Sequence, residues 1–145
     1  MFLGEGPETF ARAQEAIRGW AMFDPRWITV FPAAAPLGVG TTVALRVRHF
    51  GLWSLNACRI VYLVEQWGSV DRFGFAYGTL PSHGVRGEER FTVEWDHADD
   101  SVTYDVLAMS RPSSLLSWIA LPLVRRVQGQ FARDSKRAML WAVQR

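Results

Sequence analysis

Hydrophobic residues change their spacing twice along this chain, and each change marks a change of element. From Gly6 to Trp20 the apolar positions Phe10, Ala13, Ile17 and Trp20 recur three or four residues apart, a single stripe on a helix. Pro7 suits the first helical turn, where its missing N–H would have no partner anyway, and Gly19 followed by Asp24-Pro25 closes the segment. From Trp27 the period falls to two. Residues 27–31 predict a short strand, and residues 32–40, rich in Pro, Ala and Gly, a loop. Val43, Leu45 and Val47 alternate with Ala44, Arg46 and Arg48, as a half-buried strand requires. Gly51 predicts a turn. Residues 55–66 are apolar on both faces, which predicts a long strand that is central or sandwiched. Gly68-Ser69 allows a hairpin into a strand over residues 72–80. Phe91, Val93 and Trp95 alternate with Thr92 and Glu94 in the next strand, and Asp99-Asp100 turns the chain into a last one over residues 102–110.

Helical spacing then returns. Ser113 or Ser114 can cap a short helix through Trp118, and Pro122 suits the first turn of another. On that second helix Val124, Val127, Phe131, Ala138 and Trp141 form the stripe, with Ser135 inside it as a small residue that permits close approach. Arg125, Arg126, Arg133, Lys136 and Arg137 lie mainly off the stripe. One helix, six or seven mainly antiparallel strands and one long helix make an α+β domain. A curved sheet needs its apolar face covered, and the terminal helix is the obvious lid. This is the order of the helix-grip architecture; a plain two-layer sandwich without a cavity is the alternative. No repeat, low-complexity tract or linker interrupts the chain, so residues 1–145 read as one domain.

Composition narrows the classes. Seven Trp and nine Phe in 145 residues exceed what a small core needs, which leaves rings for a cavity wall or an interface. Cys58 is the single cysteine; it allows no internal disulfide and sits in an apolar run, as a buried small hydrophobe would. A net charge of +2 is too weak for a general nucleic-acid binder. The N-terminus lacks the basic and apolar regions of a secretory signal. The longest apolar stretch, residues 115–124, is broken by Ser117 and Pro122 and is too short to span a bilayer. A cytoplasmic protein is the expectation. Leu115, Leu116, Trp118 and Ile119 ahead of Arg125-Arg126 can touch a membrane surface, or dock on the sheet or another subunit. No Gly-rich phosphate loop, nucleophile elbow or paired-histidine metal motif is present.

Several stretches together resemble a known family: Trp53-Ser-Leu-Asn-Ala-Cys-Arg-Ile-Val-Tyr62, Gly74-Phe-Ala-Tyr-Gly-Thr-Leu-Pro81 with His83 and Gly87-Glu-Glu89, Ser110-Arg-Pro112, and the tail from Pro122 through Arg125, Gln128 and Ser135. They are similar to the domain-of-unknown-function family nineteen-ninety over nearly the whole chain. The resemblance implies the layout of the START-like helix-grip superfamily, whose relatives mostly bind apolar small molecules; it implies no activity. Two features depart from the family pattern. Members usually carry a segment upstream of the Gly4-x-Gly6 region that is missing or very short here. An acidic residue often lies between the histidine and Gly87, where this chain has Gly84-Val85-Arg86.

Candidate chemistry gathers around residues 72–91. Phe73, Phe75 and Tyr77 point one way along their strand, and Gly74, Ala76 and Gly78 the other. The small face reads as the floor of a cavity or, more ordinarily, as the surface on which a helix packs. The loop that follows holds His83, Arg86, Glu88, Glu89 and Arg90. An imidazole and a carboxylate there can serve as acid and base, or the loop can be salt-bridged to Arg59 or Arg111. One His and two Glu make a weak metal signal, and no metal or other cofactor is expected. Adjacent strand residues face opposite ways, so at most one of Glu88 and Glu89 reaches a common site. Arg59 alternates with Ala57, Val61 and Leu63, which predicts a partly buried guanidinium in need of an acceptor. His49 falls with Leu45 and Val47 and reads as a hydrogen-bonded core histidine.

The first functional expectation is a module that binds an apolar or amphipathic small molecule between sheet and terminal helix. Its ligand-binding candidates are Arg59, Phe75, Tyr77, His83, Glu88, Glu89 and Arg111. A homodimer built on the surplus aromatics, or a cofactor-independent enzyme using His83 with Glu88 or Glu89, are the alternatives.

Overall fold

The computed structural model describes residues 1–23, 26–49, 51–80, 85–112 and 121–145. The elements run β1 (Phe2–Glu5), α1 (Gly6–Arg18), β2 (Ile28–Phe31), β3 (Thr42–His49), β4 (Leu52–Gln66), β5 (Val70–Thr79), β6 (Val85–Asp96), β7 (Ser101–Pro112) and α2 (Leu121–Gln144). All strands join one antiparallel sheet in the order β1-β7-β6-β5-β4-β3-β2. From β3 to β7 each strand hydrogen-bonds to its predecessor in sequence, so this part of the sheet is a meander of hairpins. The curled sheet with a helix before and after it is an α+β helix-grip fold. The short helix expected through Trp118 falls outside the described residues.

Strand β1 was beyond the reach of periodicity because four residues carry no pattern. It closes the free edge of β7, with Gly4 opposite Val102. The Gly6 amide, at a left-handed φ of +83, donates to the Asp100 carbonyl at 3.0 Å and ties the start of α1 to the β6–β7 turn.

Both helices lie on the concave face, where α1 packs on β6 and β7 and α2 on β7 and α1. The interior is largely aromatic. Trp20 meets Phe75 edge-on at 4.9 Å between centroids, and Phe23 stacks on Phe131 at 5.7 Å and on Tyr77 at 6.4 Å. Phe91 sits among Phe23, Phe75, Tyr77 and Phe131. The Trp20 indole N–H donates to the Ala35 carbonyl at 2.8 Å, so the loop after β2 is pinned to the core.

Three expectations about which face is covered change. The helices pack on the large side chains of β5, not on Gly74, Ala76 and Gly78. Phe73, Phe75 and Tyr77 form the inner face because the aromatic area removed from water there exceeds anything the small residues offer. Gly74 is small because β6 runs so close: a Cβ there would lie 2.0 Å from the Phe91 carbonyl oxygen. Strand β4 is central but not sandwiched. Cys58 and Ile60 point inward and are buried, whereas Val61 and Tyr62 on its outer side are exposed. A bulge between Ile60 and Tyr62 shifts the register there, and Leu63 beyond it, opposite Phe75, is also exposed. The buried stripe of α2 is Phe131, Ser135, Met139 and Val143; Trp141, expected on it, is exposed with Arg145 over its ring at 5.0 Å. The fully buried Ser135 hydroxyl pairs with the Tyr104 hydroxyl at 2.8 Å, which sets the rotation of the helix.

Candidate functional site

Antiparallel register decides which polar groups enter the concave face. In the β5–β6 pair Phe75 lies opposite Phe91 and Tyr77 opposite Glu89, so Glu89 shares the inner face with the aromatic cluster. On β6 and β7, Glu89 lies opposite Ala108 and Gly87 opposite Ser110; on β4, Cys58 lies opposite Thr79. Moving along the sheet from Phe91 past Glu89, bulky rings give way to Gly87, Ala108 and Thr79. The Thr79 hydroxyl accepts a hydrogen bond from the Gly87 amide at 3.0 Å, so this end of the sheet is tied as well as small.

At that boundary the Tyr77 hydroxyl donates to a carboxylate oxygen of Glu89. Burial raises the Glu89 pKa, and the bond from Tyr77 pulls it partly back. Burial also lifts the Tyr77 phenol well above its usual range, and the neighbouring Glu89 charge adds to this. Cys58 is pushed up to about 12 by burial and then by Glu89, so its thiol stays protonated and is a poor nucleophile. Tyr104 is likewise raised by burial. The site therefore offers a carboxyl that protonates readily, two phenols and a thiol, inside an aromatic shell. Such a group of donors and acceptors can hold the polar end of a ligand, and a carboxyl with raised pKa can give up a proton to one.

The two adjacent glutamates diverge as strand geometry requires. Glu88 lies on the convex side, where the Tyr62 hydroxyl donates to it at 2.9 Å. Arg59 is on that convex side too. It is exposed, against the expectation of partial burial, and its Nε donates to the Thr42 hydroxyl at 3.1 Å instead of meeting a glutamate. The reason is the choice of face on β4: with Cys58 and Ile60 turned inward, Arg59 must turn outward. Phe75 is wholly buried in the ring cluster. Arg111 pairs in register with Arg86 on β6. His83 lies outside the described residues, as do the side chains of Arg111 and His49. Among the described residues no group of three or more His, Cys, Asp or Glu side chains comes together in a way that could hold a metal ion.

The structure thus unites Tyr77 and Glu89, keeps Phe75 beside them, and sets Arg59 and Glu88 on the opposite face. Sequence reasoning missed Tyr62 and Tyr104. For Tyr104 a signal existed, since it shares its phase with Val102 and Val106. A separate shallow cleft of about 370 Å³ lies between α1 and the end of α2, lined by Ala11, Arg12, Gln14, Glu15, Ala16 and Ala142, and includes none of these groups.

Comparison with known proteins fits this geometry into a family without naming its chemistry. The family model described as a domain of unknown function, DUF1990, matches residues 1–138. A UPF0548 protein of Dictyostelium discoideum is 40% identical over 150 residues, covering 97% of this chain and 69% of the relative. A UPF0548 protein of Deinococcus radiodurans is 43% identical over 152 residues, covering 97% and 74%. A UPF0548 protein of Arabidopsis thaliana is 32% identical over 143 residues, covering 97% and 69%. No solved structure matches the chain. With the family model spanning nearly all of it, and an amoeba, a bacterium and a plant supplying relatives of one name, the chain belongs to the DUF1990 family.

Proposed function

We propose that this protein is a small-molecule binding module that seats the polar end of an amphipathic ligand against Tyr77 and Glu89 on the concave face. The observation that carries this reading is the placement of the Tyr77–Glu89 pair where aromatic packing ends and Gly87, Ala108 and Thr79 begin. Holding a half-buried carboxyl beside an aromatic cluster costs free energy that an apolar residue at position 89 would not. A fold keeps such a group where recognition needs it. Phe91 and its ring neighbours supply flat apolar contact for the remainder of the ligand. Ligand groups able to donate to a Glu89 carboxylate oxygen or to share the Tyr77 hydroxyl, such as a hydroxyl or a carboxylic acid, suit this pair.

A second reading rests on the same carboxyl. Glu89, not Glu88, is the residue that would act as general acid in an enzyme, because Glu88 lies on the other side of the sheet and is held by Tyr62. A cytoplasmic location belongs to this proposal, and no helix among the described residues is long and apolar enough to cross a membrane.

Native mass spectrometry of the protein purified without denaturation tests the binding reading. We expect an adduct mass on the wild type that is lost in Glu89→Gln and Tyr77→Phe while the circular dichroism spectrum is unchanged. A wild-type spectrum with the bare chain mass alone, or an adduct indifferent to both substitutions, would overturn it.

A further inference from the structure

Charge is unevenly divided along the chain. Residues 26–64 contain four arginines and no carboxylate, while the remaining residues carry twelve bases against fourteen acids. This segment builds β2, β3 and nearly all of β4, one flank of the sheet. On its convex side, away from both helices, register places Thr29 beside Arg46 and Leu55, and Arg48 beside Trp53. Phe31 is diagonal to Arg46 in the same layer. Trp53 is 54% exposed and Leu55 65%, and Phe31 is exposed as well. The Arg46 guanidinium lies over both the Phe31 ring at 5.4 Å and the Trp53 ring at 4.8 Å, and Arg48 over Trp53 at 5.8 Å.

A surface that is apolar and cationic at once, built from a segment with no carboxylate of its own, is complementary to a layer whose outside is anionic and whose inside is hydrocarbon. We infer that the convex β3–β4 face docks on an anionic lipid bilayer surface. Leu55 enters the acyl boundary, Trp53 sits at headgroup depth where its amphipathic ring is most stable, and Arg46 and Arg48 meet phosphate or carboxylate headgroups. The long arginine side chains already lie along the rings, so apolar insertion and charge pairing use one conformation. Two other occupants fit less well. A two-fold dimer through this face would bring Arg46 and Arg48 against their own copies, a like-charge contact. A single-stranded nucleic acid would need ring faces for its bases, and Arg46 covers those of Phe31 and Trp53.

The test is co-sedimentation of the full chain with vesicles of phosphatidylcholine alone and with vesicles containing phosphatidylserine at about 30 mol%. The inference expects retention on the anionic vesicles only, falling as salt is raised. Arg46→Gln with Arg48→Gln should weaken that retention on the order of tenfold or more. Trp53→Ser with Leu55→Ser should weaken it as much, with an unchanged thermal midpoint for all four exposed substitutions. Absence of wild-type retention on anionic vesicles overturns the inference, as does retention that neither pair of substitutions reduces. A concentration-dependent dimer abolished by the Trp53 and Leu55 changes, or tight binding of a single-stranded oligonucleotide without vesicle retention, assigns the face to those partners and overturns it equally.

Discussion

Two substitutions on one helix turn separate the structure from the pattern that predicts it. Met139 is fully buried in the inner stripe of α2, whereas Trp141, two residues on, is 67% exposed and touches Arg145. Met139→Ala removes a buried side chain from a close-packed interior. Truncations of this kind cost about 2–5 kcal/mol, the spread depending on how far the surroundings collapse. Met139 shares its stripe with Ser135, whose hydroxyl is bonded to Tyr104, and with Phe131, whose ring is fixed among Phe23, Phe91 and Trp27. Collapse there is restrained, so the upper half of that range is expected. Trp141→Ala gives up an exposed cation–π contact worth about 0.5–1 kcal/mol and little buried area. A domain of this size has a total stability of about 5–15 kcal/mol, so the first change is severe and the second mild. Guanidinium unfolding followed by far-ultraviolet circular dichroism measures both; with equal m-values, the midpoints report the difference directly. If Trp141→Ala destabilised as much as Met139→Ala, α2 would be rotated from the described position and the concave core would be assembled differently.

Two further outcomes follow from buried polar groups. Because burial raises the Glu89 pKa, the folded state holds that proton more tightly than the unfolded chain. Stability should therefore fall as pH rises from the unfolded carboxyl value, about 4.3, through the higher folded one, and Glu89→Gln should flatten this slope and stabilise the protein at neutral pH; denaturant midpoints across pH for both proteins check it. At the Tyr104–Ser135 contact, Ser135→Ala should cost about 1–3 kcal/mol by leaving the buried phenol without its partner, and adding Tyr104→Phe should recover part of the loss. Purely additive losses in that double-mutant cycle would show that the two hydroxyls do not interact.

Much of this architecture is local and therefore legible in residue order. Alternation at Val43, Leu45 and Val47, the Gly68-Ser69 hairpin, and the turn at Asp99-Asp100 specify strands that pair with their neighbours, because hairpins need no distant information. The apolar stripe of α1 from Phe10 to Ile17 and the terminal helical segment were equally visible, and so was the rule that Glu88 and Glu89 cannot face the same way. Periodicity states that a strand or helix has two faces; it does not state which one is covered when both are apolar. On β4, Cys58 and Ile60 compete with Arg59 and Val61, and on α2, Met139 and Val143 compete with Ala138 and Trp141. The winner is the arrangement that removes the most apolar surface while the buried Tyr104 and Ser135 hydroxyls pair with each other, a sum taken over the whole core. Tertiary packing thereby turned the aromatic side of β5 toward the helices and drew Glu89 in beside Tyr77. It left Arg59, Trp53 and Leu55 on the outside, where the next partner must come from solution or from a surface.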